Sequence, residues 1–185
     1  MESVANLAPS PWVRRFASLI PPGTVLDLAC GRGRHARLLA EMGYRVEAVD
    51  ADAESLNELT GIGGVVVRKA DLENGPWPYF GRAFEGIVVA NYLHRPLMPH
   101  LLGCLAEGGV LVYETFMVGN ECFGKPTNPA HLLRSGELLD VIKNRLTVVA
   151  FEQGEVAQPR PAVVQRLCAK RGREIRLPIS PPPAG

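Results

Sequence analysis

The stretch LDLACGRGRHARLL, residues 26–39, constrains this chain more than any other. An apolar run carrying one acid, Asp27, leads into Gly31 and Gly33 and then into a segment of helical periodicity. Glycines this closely spaced after a buried strand serve a tight turn whose backbone must come close to something. The helix that follows, 33–43, stops at Gly43. It sorts into two faces, with His35, Leu38, Leu39 and Met42 inward and Arg34, Arg37 and Glu41 outward.

The rest of the chain repeats the alternation of strand and helix. A helix over 10–20, capped by Ser10 with Pro11 at its first position, precedes a strand at 24–29. Strands follow at 44–50, 63–71, 84–93 and 110–116. Helices are expected from Asp52 to about Leu59, from Pro96 to about Glu107, and from an Asn128 cap to about Lys143. Residues 72–83 read as loop, and 117–128 as a glycine-hinged loop long enough to close as a lid. Two last strands, 146–154 and 161–171, lack a helix between them and are expected to be antiparallel. The pattern predicts an α/β fold: a doubly wound, mostly parallel seven-stranded sheet with helices on both faces and a reversed last strand. One domain over 1–177 and a Pro-rich disordered tail over 178–185 account for all 185 residues.

In such sheets ligands lie beyond the carboxyl ends of the strands, at the switch point. The chain's unusual residues stand there: Asp27 to Gly33, Asp50, Asp71, Asn91 to His94, and Glu114. Two cofactors fit a glycine turn with two acids. Gly31, Gly33 and Ala36 satisfy the dinucleotide fingerprint, with Asp50 where a ribose-binding acid belongs, which keeps an NAD(P)-dependent oxidoreductase open. A pyrophosphate, however, is opposed by a carboxylate on the strand feeding the turn. S-adenosylmethionine carries an ammonium and a sulfonium and no phosphate, so it suits Asp27.

The motifs resemble those of class I S-adenosylmethionine-dependent methyltransferases. VLDLACGRG is similar to the first motif of that family, VEAVD to the second, KADL to the third, FEGIVVANYLH to the fourth and GGVLVYETF to the fifth, over residues 24–116. The small single-domain build is similar to tellurite-resistance-related and thiopurine-type members. The resemblance implies that Asp27, Gly31 and Gly33 hold the methionine portion, Asp50 the ribose, and Asp71 with Leu72 the adenine. Ala29, His35, Ala51 and Asn91 complete the expected cofactor-binding set, though His35 suits packing against the sheet at least as well, and Arg14 or Arg15 is within reach of the cofactor carboxylate, though a solvated arginine is the commoner outcome.

The acceptor side is less determined. Asn91 matches the first position of the [DN]-P-P-[YF] motif of amino-group methyltransferases, but NYLH lacks its prolines. A small-molecule acceptor, of thiol or chalcogen type, is the expectation. His94 is the first candidate for a base, equally at home in a structural role at a helix start, and Tyr92 is second, more a pocket wall than a participant. A non-catalytic S-adenosylmethionine-binding module is the remaining alternative.

Composition narrows the setting. A net charge of +1 gives no reason to expect a nucleic-acid partner. The one basic cluster, Lys170, Arg171, Arg173 and Arg176, reads as solvated. No run approaches the roughly 20 apolar residues of a membrane span, and the first residues lack a secretory pattern. The scattered cysteines, Cys30, Cys104, Cys122 and Cys168, have no metal-ligand spacing; neither do His100 and His131. A cytoplasmic protein with free thiols and no metal is expected; the oligomeric state is left open.

Overall fold

The computed structural model describes residues 8–173. Ser10 caps the first helix, α1 (Pro11–Phe16), its hydroxyl accepting from the Trp12 and Val13 amides. A single 3-10 turn, Ala17–Leu19, extends it. Strands β1 (Thr24–Leu28), β2 (Arg45–Asp50), β3 (Val65–Lys69), β4 (Phe84–Ala90) and β5 (Leu105–Phe116) run parallel. β6 (Thr147–Val156) and β7 (Ala162–Lys170) form a hairpin, and β7 lies antiparallel to β5. The strand order is β3-β2-β1-β4-β5-β7-β6, so the chain reverses direction across the sheet between β1 and β4. That switch point is where the strand ends splay and leave room for a ligand. Among the described residues no helix is long and apolar enough to cross a membrane.

The period-2 alternation of the strands feeds two cores. Val25, Val46, Ala48, Val88 and Val112 face α1, α2 (Arg34–Glu41) and α3 (Ala53–Asn57). Leu26, Leu28, Ile87, Val89 and Tyr113 face α4 (Met98–Cys104) and α5 (Glu137–Ile142). Asp27 belongs to the first set by parity, which aims it under the start of α2.

Two expected helices come out differently. The helix expected from Asn128 to Lys143 is two pieces: a 3-10 turn, Pro129–His131, and then α5. Arg95 takes the carbonyls of Ala130 (2.7 Å) and Leu132 (2.8 Å), which a continuous helix would keep for itself. The amides of Leu133 and Val118 donate to the Phe116 and Leu133 carbonyls instead, and Gly136 enters α5 in the left-handed region at φ 71. The helix after Pro96 begins as a 3-10 turn and ends at Cys104, short of Glu107. Gly108 and Gly109 bond to Arg171 at 3.0 and 2.9 Å and belong to β5. Arg171 itself caps the Leu102 carbonyl, so this part of the basic cluster is structural rather than solvated; Arg176 and the tail expected at 178–185 lie outside the described residues.

Residues 72–83 form no helix, as expected, yet they are firmly placed. Tyr79 is fully buried. Glu47 on β2 accepts from Arg68 (2.8 Å) and Arg82 (3.0 Å), and Arg82 lies over the Tyr79 and Phe84 rings. Burial pushes the Glu47 carboxyl up, but the two guanidinium groups outweigh it and hold it below the ordinary range. The loop after β5 is likewise pinned at one point. Asn120 is buried, and its side-chain Oδ1 accepts from the Val163 amide at 3.2 Å.

Candidate active site

Two residues other than glycine adopt left-handed backbone at the ends of neighbouring parallel strands: Ala29 (φ 52) after β1 and Asn91 (φ 57) after β4. Such conformations cost energy and persist where the surroundings hold them, commonly at ligand sites. Between them sits the glycine turn. Gly31 (φ 53) has open space where a Cβ would stand, whereas a Cβ on Gly33 (φ 73) would meet the Leu59 side chain at 2.3 Å. The two glycines therefore do different work. Gly33 lets the turn pack against Leu59; Gly31 presents bare backbone outward.

Asp50 closes the turn. Its Oδ2 accepts from the Gly31 amide at 2.8 Å and its Oδ1 from the Asp52 amide at 2.9 Å. Each oxygen keeps a lone pair for a further donor, the arrangement a pair of vicinal hydroxyls needs. Ala51 lies exposed between Asp50 and Asp52 at this edge. Asp71 organises the next edge, accepting from the Glu73 and Asn74 amides at 3.0 Å each, and Leu72 beside it is buried.

Asp27 is 1% exposed, and its Oδ2 has no hydrogen-bond partner among the described residues. Burial raises its pKa to about 7, against the lowering effect of the Ala36 amide and the Arg34 charge. A buried carboxylate with a spare oxygen is suited to receive a cation. Arg34 stands beside it. The helical-face pattern puts Arg34 outward, but as the first residue of α2 it turns over the sheet edge, where burial lowers its pKa against the pull of Glu114 and Asp27. This is the residue that helical periodicity misses. Its position directly after the second glycine is the signal that could have found it.

His35 goes inward. Its Nε2 accepts from the Ser10 amide at 3.1 Å, and burial, with Arg34 adding to it, lowers its pKa to about 3. The imidazole is a neutral tie between α2 and the start of α1. Arg14 is exposed, and Arg15 pairs across the surface with Glu152 at 3.7 Å.

A cavity of about 450 Å³ opens beside this edge. Ser10, Arg34, Asn91 and Glu114 form its inner part, and Phe116, Val164 and the β6–β7 connection form its outer wall. Within it Glu114 pairs with Arg166 at 2.5 Å. Tyr92 and His94 do not line it. The Tyr92 hydroxyl is buried without a hydrogen bond, and burial, with Glu73 nearby, raises its pKa. His94 lies near Asp71. Hydrogen bonds from the Asn74 amide and side chain and from the Glu73 amide hold the Asp71 carboxyl below its ordinary range, and the charge of His94 adds a smaller effect in the same direction.

Residues 25–109 match the family model of a methyltransferase domain. The sheet also has the reversed last strand expected from the sequence motifs. The fold is that of a class I S-adenosylmethionine-dependent methyltransferase. Over 111 residues the chain is 35% identical to protein-L-isoaspartate O-methyltransferase of Chlorobaculum tepidum, covering 55% of this chain and 49% of that one. The chain thus spans about half the length of that curated relative. Among solved structures, TehB from Haemophilus influenzae superposes with a TM-score of 0.73 at 19% identity, over 89% of this chain and 63% of that one. The 1,6-didemethyltoxoflavin-N1-methyltransferase of Burkholderia thailandensis, solved with 1,6-didemethyltoxoflavin and S-adenosylhomocysteine, gives 0.62 at 20%, over 88% and 76%. At these identities the likeness to solved methyltransferases is one of fold.

Proposed function

We propose that the protein binds S-adenosylmethionine along the ends of β1, β2 and β4 and transfers its methyl group to a small molecule seated in the adjoining cavity. The observation that carries this reading is Asp27: a buried carboxylate with an unpartnered oxygen, directly beneath an open glycine turn and next to the ribose-type acid Asp50. Asp27 and Arg34 together offer opposite charges to the amino-acid end of the cofactor, Asp27 to its ammonium and Arg34 to its carboxylate. Asp50 takes the ribose hydroxyls, and Asp71 with Leu72 borders the adenine. When bound, S-adenosylmethionine supplies an electrophilic methyl on a positively charged sulfur.

What the chain adds is placement and exclusion of water. The cavity's one carboxylate, Glu114, is engaged by Arg166, and no other titratable base lines it among the described residues. An acceptor that arrives as a good nucleophile needs only to be held in line and desolvated. His94 and Tyr92 stay on the adenosine side of the strand ends. Soft, readily ionised acceptors, thiols or their heavier analogues, fit a site of this kind, acting in the cytoplasm.

The test is incubation with methyl-labelled S-adenosylmethionine and a panel of small thiols, phenols and amines. Label recovered in a methylated acceptor supports the reading. Cofactor binding with no transfer to any panel member would leave a binding module instead.

A further inference from the structure

The cavity beside the cofactor edge has a charge pattern that selects among acceptors. Its lining includes Arg34, Arg160 and Arg166 against the single carboxylate Glu114. Arg166 is neutralised by Glu114 at 2.5 Å and leans on Glu152 at 3.6 Å. Arg34 serves the cofactor carboxylate under the proposed function. Arg160 is left over: among the described residues it forms no ion pair, and its guanidinium lies over the Phe116 ring, 5.7 Å from the centroid.

Its backbone is held for that position. Arg160 lies between Pro159 and Pro161 in the β6–β7 connection. A preceding proline fixes the approach of the chain, and a following proline confines Arg160 to extended backbone. The side chain is thus presented from a stiff turn onto an aromatic wall, not from a loose loop. Apart from Gln158, the rest of the outer wall is apolar: Pro9, Pro11, Val156, Ala162 and Val164. Glu114 and Phe116 are alternate residues of β5 and so share a face, roughly 7 Å apart along the strand. Arg34 and Asn91 line the cavity beside Glu114, and the cation at Arg160 lies over Phe116, one strand step further along.

We propose that Arg160 is the anion-recognition residue of the acceptor site, and that the acceptor is a small apolar or aromatic molecule bearing a carboxylate or similar anion at the end opposite its reacting atom. This rests on the methyltransferase reading. The apolar body lies against Phe116 and Val164, the anion meets the guanidinium, and the reacting atom points toward Asn91. Arg160 is exposed, and its planar guanidinium over the Phe116 ring can take a carboxylate through paired hydrogen bonds. A neutral analogue of the same shape leaves that cation unpaired and binds less well.

The probes are 3-phenylpropionate and its amide, titrated by calorimetry into protein saturated with S-adenosylhomocysteine. The acid is expected to bind about three- to fivefold more tightly than the amide, the effect of one exposed ion pair. Arg160→Gln is expected to erase that difference and Arg160→Lys to keep part of it, with S-adenosylhomocysteine affinity unchanged in both. Equal binding of acid and amide, an undiminished preference in Arg160→Gln, or no binding of the acid at millimolar concentration would each overturn the assignment. Failure of S-adenosylhomocysteine to bind the wild-type protein is a different result, and it would remove the methyltransferase reading itself.

Discussion

Replacing Asp27 by Asn isolates the energetic cost of keeping a cation site ready. The folded-state pKa of Asp27 is raised from 3.8 to about 7 by burial. Between about pH 4 and about pH 7 the folded protein therefore holds a proton that the unfolded chain has lost. Stability falls across that window as pH rises, and the full penalty is present above it. Roughly three pKa units correspond to on the order of 4 kcal/mol. His35 acts in the opposite sense. Its pKa is lowered to about 3, so the unfolded chain binds a proton the folded one refuses, and stability rises with pH up to about 6.5. In the wild type these two contributions oppose each other between about pH 4 and 6.5. In Asp27→Asn only the His35 contribution of the two remains. Urea unfolding of both proteins across this range should show the variant gaining about 4 kcal/mol relative to wild type between pH 4 and pH 8. The new amide lacks a partner where Oδ2 lies, which offsets part of the gain by about 1–3 kcal/mol at every pH but leaves the pH dependence of the difference intact. The same variant should lose at least tenfold in S-adenosylhomocysteine affinity, since an amide cannot neutralise an ammonium. A difference in stability that stays flat from pH 4 to pH 8 would show that Asp27 is not held as a costly buried acid.

Other substitutions separate structure from binding. Gly33→Ala should destabilise the fold by about 2 kcal/mol or more, because it combines left-handed backbone with a clash on Leu59; Gly31→Ala should cost about 1 kcal/mol yet abolish cofactor binding, since its methyl enters the open approach, and thermal melts with and without S-adenosylhomocysteine read both. Asp50→Asn keeps an oxygen for the Gly31 amide and should weaken binding about tenfold with the fold intact, while Asp50→Ala also frees the turn and should be worse in both calorimetry and melting. His35→Leu leaves the Ser10 amide buried without an acceptor, and should cost about 1–3 kcal/mol by urea titration. His94→Gln should leave kcat within about twofold once an acceptor is known; loss of the roughly 10²–10⁴ typical of a general base, with a changed pH profile, would return His94 to the catalytic list.

The alternation of short apolar runs with amphipathic segments makes the parallel sheet readable, because buried strands and capped helices carry strong local signals. The antiparallel β6–β7 pair is readable for a topological reason: too few residues separate the strands for a crossover. The segment from Asn128 to Lys143 misleads because its local propensity is helical, while Arg95 and the backbone of Phe116 compete for the same carbonyls and amides from elsewhere in the chain. Arg34 reads as solvent-facing for a similar reason. Periodicity describes a helix against a flat sheet, and the first residue of α2 lies beyond the sheet's edge. The meeting of Arg160 with the cavity wall has no sequence signature, since it depends on how a hairpin folds back over β5.

Whether the site holds S-adenosylmethionine rather than a dinucleotide is decided by calorimetric titration of the wild-type protein at pH 6.5 with S-adenosylhomocysteine and, separately, with NADH. A single saturable site for S-adenosylhomocysteine is expected, with up to one proton released as the ligand ammonium displaces the proton from Asp27, whose pKa in the free protein is about 7. NADH is expected to give no heat of binding. Saturable NADH binding with none for S-adenosylhomocysteine would mean that Asp27 and the glycine turn serve a dinucleotide after all.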